Sequence, residues 1–255
     1  MSKYSALRAE DYFSGRKLKI AQAMDAGDMA AVRRLAEGVD LAEPADKGMT
    51  LMWYAMQPAK PNYEAVKTLV ALGVDPDRQV AQGIGTAMQY VFITRQDPKD
   101  MSGVLLLQAM LDGGLSPNKT LKDGTTLLQR AAGPGGGLVE PVALLLQRGA
   151  EINAQDSLGG TALSTAIGLH PDIAIFLLRQ GAAIGSATST GVTPAWAVNI
   201  AINRYQPGSF RAKHEQLRDL MIAKGAKWPP DSPEVVREQM RAKGLTPLVP
   251  PGHKR

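Results

Sequence analysis

Apolar residues recur along this chain in a unit that ends at a glycine. Two adjacent apolar residues stand four and three positions before the glycine, as Leu69 and Val70 do before Gly73. This spacing puts the pair on one face of a helix that a left-handed glycine ends. The unit recurs every 32 to 44 residues, at Gly38, Gly73, Gly114, Gly149, Gly181 and Gly225. A period of this length predicts a repeat protein.

A second signature opens each following unit. Polar segments such as VDPD at 74–77 and LSPN at 115–118 contain Asp, Asn and Pro, which favour turns over helix. A glycine and threonine segment then leads into the next apolar run. The threonines occupy one equivalent place in successive units, at Thr50, Thr86, Thr126, Thr161 and Thr193.

Together the two signatures resemble the ankyrin repeat, whose pattern is G-x-T-P-L-H-x-A-A followed by I-V-x-x-L-L-x-x-G-A-D. The resemblance covers residues 15–228, with a half-repeat at 23–35 at its start. It implies an all-α repeat solenoid of about six helix-turn-helix repeats with short β-hairpin-like loops. Because one helix pair cannot bury its apolar face alone, such units stack and share a continuous core.

The sequence also departs from the family pattern. The proline survives only at Pro194, and the family histidine is replaced at Trp53, Gln89, Gln129, Ser164 and Trp196. In the family this histidine helps to hold neighbouring repeats together. With insertions at 93–101, 133–137 and 203–214, the departures predict a less regular array with protruding loops.

The domain prediction has four parts. Residues 1–14 are an N-terminal extension, 15–228 the ankyrin repeat array, 229–244 a C-terminal capping helix, and 245–255 a flexible, Pro-rich basic tail. The helix has its N-terminal signal at Asp231-Ser232-Pro233-Glu234 and is expected to end at Gly244. Its exposed polar face is expected to carry Arg237, Glu238, Arg241 and Lys243.

Composition narrows the classes of function. The net charge of +5 is concentrated in residues 201–255, which hold 11 of the Lys and Arg residues and 5 of the Asp and Glu residues. This confined excess indicates a solvated end and disfavours a nucleic-acid partner. Binding of an anionic surface through this end stays an alternative. The chain has no Cys and no apolar run suited to a signal or membrane span. We expect a cytoplasmic protein, or a periplasmic one if a signal peptide was removed.

No motif predicts catalysis. The three histidines, His170, His214 and His253, have no metal-ligand spacing to a second ligand. A phosphate-binding loop and a nucleophile elbow are both absent from the sequence. We therefore expect no catalytic residue, no metal and no cofactor, and predict that the protein is not an enzyme.

The resemblance implies that a partner is held on a concave surface of hairpin tips and inner helices. By helical spacing, the residue before the first Ala of each unit points toward that side: Tyr54, Tyr90, Arg130, Thr165 and Ala197. Tyr and Arg are enriched in interface hot spots, although Tyr54 and Tyr90 could instead pack against neighbouring repeats. Met49 and Met56 are further expected contacts. The hairpin tips are expected to form a polar rim that includes Lys47, Gln82, Lys122, Asp123 and Asp156. Trp53 and Trp196 are expected to pack in the core.

The predicted function is non-catalytic protein binding by a chain that is a monomer when unbound. The segments DYFSGRKLKIAQAMDAGD, GMTLMWYA and DGGLSPN are similar to those of bacterial ankyrin proteins, including immunity partners of secreted (type VI) phospholipase toxins. That similarity implies inhibition of a toxin by the concave face or an inserted loop at its active-site mouth. A scaffold or adaptor that links cellular proteins is the alternative.

Overall fold

A computed structural model describes residues 7–81, 85–93, 100–135 and 137–250. In these residues the chain forms six successive helix pairs and a single final helix. The pairs are α1 (Gly15–Asp25) with α2 (Met29–Leu35), α3 (Leu51–Ala55) with α4 (Tyr63–Ala71), α5 (Ala87–Ile93) with α6 (Ser102–Asp112), α7 (Leu127–Ala132) with α8 (Val139–Gln147), α9 (Ala162–Leu169) with α10 (Pro171–Arg179), and α11 (Pro194–Arg204) with α12 (Ser209–Ala223). The final helix is α13 (Pro233–Ala242).

Two short strands and two 3₁₀-helices complete the described secondary structure. The strands β1 (Gln79–Ala81) and β2 (Gly85–Thr86) pair antiparallel, and the 3₁₀-helices span Ala9–Asp11 and Asp46–Gly48. The predicted all-α repeat solenoid with about six repeats is confirmed.

The chain divides into two compact units, residues 1–116 and 117–255. Unit 1 contains α1 to α6, and unit 2 contains α7 to α13. Within unit 2 the first helices α7, α9 and α11 pack in series, and the second helices α8, α10 and α12 pack in a parallel series. The same arrangement in unit 1 joins α1 to α3, and α2 to α4 and α6. Each unit therefore shares one apolar core among its stacked helix pairs.

The repeat glycines end the second helices as predicted. All six have left-handed backbone torsions, with φ between 69° and 102°, a conformation that costs a glycine little because it has no Cβ. At five of the six, all except Gly38, the residue after the glycine donates to a carbonyl five positions earlier, as Val74 N–H does to Leu69 O at 3.0 Å. The first apolar residue of each predicted pair is fully buried, at Leu69, Met110, Leu145, Leu177 and Met221.

The equivalent threonines all cap the first helix of their repeat. Each hydroxyl accepts a hydrogen bond from the N–H three residues later, at distances of 3.1 to 3.3 Å. At Thr86, Thr126 and Thr161 the bond is reciprocated by the side chains of Gln89, Gln129 and Ser164. Such caps satisfy amide groups that a helix end leaves unpaired. They fix the junction between each hairpin and its helix.

Gln129 keeps the repeats joined where the family pattern has histidine. Its Nε2 donates to the Asp156 carboxylate and to Gly160 O, both at 2.8 Å. These acceptors belong to the hairpin of the next repeat, so the predicted loss of regularity is wrong at this junction. The insertion at 203–214 also forms no long loop, because α11 continues to Arg204 and α12 begins at Ser209.

The N-terminal segment is part of the packed core of unit 1. Ala9 and Phe13 are buried, and the Phe13 ring meets the edge of Tyr54 with 5.4 Å between centroids. The main-chain N–H of Leu7 donates to Gln57 Oε1 at 2.7 Å. Residues 7–14 of the predicted extension are thus packed against the first repeats.

The C-terminal helix begins after the predicted cap, Ser232, whose hydroxyl accepts from Val235 N–H at 3.5 Å. The prediction that Arg237 lies on its exposed face is wrong, since this side chain is 3% exposed. Its guanidinium donates to Thr190 O at 2.8 Å and to Glu234 Oε1 at 3.1 Å. Glu238, Arg241 and Lys243 are exposed as expected.

Residues 245–250 differ from the flexible tail that was expected. Pro247 is buried, and Leu248 N–H donates to Ser189 O at 2.7 Å. This part of the segment is therefore docked on the last hairpin, because a main-chain hydrogen bond and a buried ring hold it there. Residues 251–255 of the predicted tail lie outside the described residues.

Candidate functional site

The first helix of each pair, here called the inner helix, carries the positions predicted to meet a partner. In unit 2 these are Arg130 on α7, Thr165 on α9 and Ala197 on α11, all partly exposed. One helical turn further on, Leu169 and Ile200 are 47% and 45% exposed. Positions three and four apart share a helix face, so these five residues form one surface, here called the inner strip.

Arg130 is held in place by the hairpin tip of its own repeat. Its guanidinium forms an ion pair with Asp123. Asp123 also accepts hydrogen bonds from the N–H and hydroxyl of Thr125, at 3.0 and 2.6 Å. The Nε of Arg130 is buried and has no hydrogen-bond partner among the described residues. Arg130 therefore combines a fixed guanidinium with one unsatisfied donor at the edge of the inner strip.

Thr165 is also fixed by its neighbours. Its hydroxyl donates to Thr161 O at 3.1 Å, and a Cβ placed on Gly133 would lie 3.2 Å from its methyl group. Gly133 and Thr165 thus bring the end of α7 close to α9. The polar members of the inner strip sit on packed helices with little room to move.

The hairpin tips of unit 2 differ in what they expose. Lys122 and Ser157 are exposed, and Leu158 is 56% exposed. Asp156, predicted as a rim contact, is half-buried and binds its own loop, because its carboxylate accepts from the N–H groups of Leu158 and Gly160 at 2.8 Å. It also accepts from Gln129 on α7, so it joins its own hairpin to the helix of the preceding repeat.

An aromatic pair lies on the inner helices of unit 1. Trp53 on α3 and Tyr90 on α5 meet edge to face, with 4.8 Å between ring centroids. Both side chains are partly exposed. Trp53 therefore contacts the next repeat, but it and Trp196 are only partly buried and do not lie fully in the core as expected. Tyr90 also keeps part of its surface exposed. Because edge-to-face aromatic pairs prefer a defined geometry, the two rings hold each other in place on this surface.

The expected exposure of Tyr54, Met49 and Met56 is wrong. Tyr54 is 2% exposed, and both methionines are buried. The Tyr54 hydroxyl donates to Asp25 Oδ2 at 2.7 Å. Burial, reinforced by this bond, raises the pKa of Tyr54. For Tyr54 the physical reason is the N-terminal segment, since Phe13 packs on its ring and Leu7 O lies near its hydroxyl.

The remaining predicted tip residues have different positions. Lys47 is exposed, and its Nζ donates to Asp11 O at 3.2 Å and lies 5.1 Å from the centre of the Tyr12 ring. It is therefore attached to the N-terminal segment. Gln82 lies outside the described residues.

The described part of the chain offers no metal centre. Groups of three or more His, Asp or Glu side chains that could hold an ion are absent from it. His214 is fully buried, with Nε2 2.7 Å from Ile167 O and Nδ1 2.8 Å from Phe210 O. Its ring thus links α12 to α9. No helix within the described ranges is long and apolar enough to cross a membrane.

Residues 123–157 match the sequence model of the ankyrin repeat family. This segment includes α7, α8 and the hairpin residues Asp123 and Asp156. The chain contains an ankyrin repeat and has the ankyrin repeat fold. Ankyrin repeats indicate a protein-binding module, and this fold is an interaction scaffold that is typically non-catalytic.

Solved ankyrin structures cover most of the chain. The ankyrin repeat domain of Bcl-3, a member of the IkappaB protein family, is 23% identical, with a TM-score of 0.58 over 86% of this chain and 92% of that one. An ankyrin repeat domain from Acinetobacter baumannii AYE is 23% identical, with a TM-score of 0.54 over 82% and 98%. The ankyrin repeat protein EF0377 is 21% identical, with a TM-score of 0.52 over 80% and 96%.

These structural matches show a shared fold. The sequence has no significant match among curated proteins.

Two contributors to the inner strip were missed by sequence reasoning. Leu169 and Ile200 stand four and three residues after Thr165 and Ala197, so the signal was the continuation of the same helix face by one turn. Leu158 could have been found as the apolar residue at the tip of a predicted turn.

Proposed function

We propose that this protein binds another protein through the inner strip of unit 2, without catalysing a reaction. The observation that carries the proposal is the pair of half-exposed apolar side chains, Leu169 and Ile200, on adjacent packed helices. Exposed apolar surface of this kind marks contact sites when polar groups border it. Here Arg130 and Thr165 provide that border.

Rigidity supports the same proposal. Arg130 is fixed by Asp123, and Thr165 by its bond to the α9 backbone. A surface that is ordered before binding loses less conformational entropy when a partner docks. In unit 1 the Trp53 and Tyr90 pair is a second contact surface, with the aromatic types that are common in hot spots.

The test is affinity capture from the native cells with wild-type protein and two variants, followed by mass spectrometry. The first variant carries Leu169→Glu and Ile200→Glu. The matched control is Ile222→Glu, which changes a side chain of the same type and similar exposure, 44%. Ile222 lies at the end of α12, the second or outer helix of its pair. We expect one dominant protein with wild type and the control, and its loss with the double variant.

Retention of that protein by the double variant, with its fold intact by circular dichroism, would overturn the proposal. Loss with Ile222→Glu as well would also count against it, because the inner strip would then have no special role. Capture at high salt is used so that purely electrostatic contacts are removed.

An immunity role is the finer form of the proposal. In it, the partner is a secreted phospholipase toxin, and the inner strip or a nearby loop blocks the toxin's active-site mouth. The support is the sequence similarity to bacterial ankyrin immunity proteins in the opening segment and in GMTLMWYA and DGGLSPN. Co-expression with a candidate phospholipase, in the cytoplasm and separately in the periplasm, tests both role and compartment. We expect the cells that produce the phospholipase to survive when they also produce wild-type protein, but not when they produce the Leu169→Glu and Ile200→Glu variant. Absence of protection by wild type in both compartments would contradict the immunity role.

A further inference from the structure

A cleft lies at the C-terminal end of unit 2, between α13, the turn after α12 and the segment before α11. Its volume is about 490 Å³, within the range of about 300–1,000 Å³ that is usual for ligand sites. The walls are mainly apolar, formed by Ile184, Ala195, Ala226, Val236, Met240 and Leu245. None of these residues belongs to the inner strip.

Apolar surface continues from the cleft wall to the outside of the cleft. Leu245, which lines the cleft, and Leu248, which does not, are each more than half exposed. The main-chain bond from Leu248 N–H to Ser189 O holds this segment on the last hairpin. An exposed leucine that is held beside an apolar cleft, as Leu248 is, is typical of a protein contact, since a small ligand would fill the cleft and leave that leucine in water.

The charges that line the cleft have a positive excess. They are Lys227, Asp231 and Lys243. Lys227 pairs with Asp231, and Gln239 Nε2 also donates to that carboxylate at 3.3 Å. The hydrogen bond from Lys227 is the main cause that lowers the pKa of Asp231. Asp231 is thus neutralised within the wall, whereas Lys243 is exposed and forms no ion pair with a described residue.

We propose that this cleft is a second docking site, which takes a partner segment that carries an apolar side chain next to carboxylates. The apolar side chain fills the space beside Val236 and Met240, and a carboxylate faces Lys243. The inference rests on the proposed function in one respect, namely that the molecule bound in the cleft is a protein. Its position is independent of the inner strip.

The test uses two fluorescently labelled peptides in anisotropy titrations of the full chain. One alternates leucine and phenylalanine with glutamate, and the other replaces each glutamate with lysine. We expect saturable binding of the acidic peptide, at least about tenfold tighter than its lysine counterpart. Lys243→Glu should weaken it about tenfold. Ala226→Trp, which fills the cleft, should abolish it, and Leu245→Asp is the second apolar variant if Ala226→Trp does not fold.

Two control variants distinguish binding in the cleft from binding elsewhere on the protein surface. Arg179→Glu removes an exposed cation at the end of α10 that does not line the cleft and should leave peptide binding unchanged. Leu169→Glu with Ile200→Glu should also leave it unchanged, so that failure of the inner strip and failure of the cleft are distinguishable.

Equal affinity for the two peptides, no saturable binding, or full binding by both Ala226→Trp and Leu245→Asp would overturn the inference. Vesicles of phosphatidylglycerol form the last arm. The inference would also be overturned if the protein bound these vesicles but not the peptides, and if Ala226→Trp bound the vesicles as well as wild type does. That result would indicate that residues 201–255 bind anionic surfaces.

Discussion

The side-chain amide of Gln129 donates to the carboxylate of Asp156 across two adjacent repeats, at 2.8 Å. Gln129 is buried, and the same amide nitrogen also reaches Gly160 O. One side chain thus holds the next hairpin while its other atoms complete the cap at Thr126. At this junction, Gln129 links neighbouring repeats at the position where the family has histidine.

Gln129→Ala should lower the free energy of unfolding by about 1–3 kcal/mol, because it leaves buried acceptors without a donor. Urea unfolding followed by circular dichroism measures this. Gln89→Ala is the matched control, since Gln89 makes the equivalent cap at Thr86 but is exposed. Equal losses for the two variants would show that the link to Asp156 contributes nothing.

Tyr54→Ala should destabilise the protein by roughly 3–5 kcal/mol, as expected for removal of a buried aromatic side chain. Tyr54→Phe keeps the ring packed on Phe13 and removes only the hydroxyl, with its contacts to Asp25 and Leu7 O, so its cost should be about 1 kcal/mol. Chemical denaturation of both variants separates packing from hydrogen bonding. A Tyr54→Ala variant as stable as wild type would contradict the burial of this residue.

Stability at high pH should depend on Tyr54. The pKa of Tyr54 is raised in the folded protein above the ordinary 10.0. The contribution of this residue to the free energy of unfolding is therefore fully present below pH 10.0 and is lost as the pH rises above it. Wild type should therefore lose more unfolding free energy than Tyr54→Phe between about pH 9 and pH 11. Parallel pH profiles for the two proteins would contradict this.

Arg237→Ala should loosen α13 from the last hairpin. The variant loses the bond to Thr190 O and the ion pair with Glu234. Hydrogen exchange in 233–242 should become faster, while exchange in α9 stays the same. Glu238→Ala, an exposed position on the same helix, is the control. Unchanged exchange in Arg237→Ala would mean that other contacts dock the helix.

Local signals made the repeat architecture predictable. A glycine that ends a helix and a threonine that begins one act through neighbours only a few residues away, so Gly73 and Thr126 could be placed from sequence. The φ of Gly73, 92°, and the cap at Thr126 agree with that placement.

Exposure was predicted less well, because it depends on distant segments. Tyr54 occupies the same repeat position as Tyr90, yet only Tyr54 is covered by Phe13 from the N-terminal segment. Arg237 has a polar side chain on a surface helix, but it meets a hairpin 47 residues earlier. Leu169 and Ile200 were within reach of sequence reasoning, since they extend a helix face already identified.

The most direct test of the central claim is hydrogen exchange on the complex with the captured partner. We predict that protection on binding is concentrated in 162–169 and 194–204, which contain every residue of the inner strip except Arg130. Smaller changes are expected in the second helices of the pairs, at 139–147 and 171–179. Protection confined to the outer helices, with α9 and α11 exchanging as in the free protein, would contradict the account.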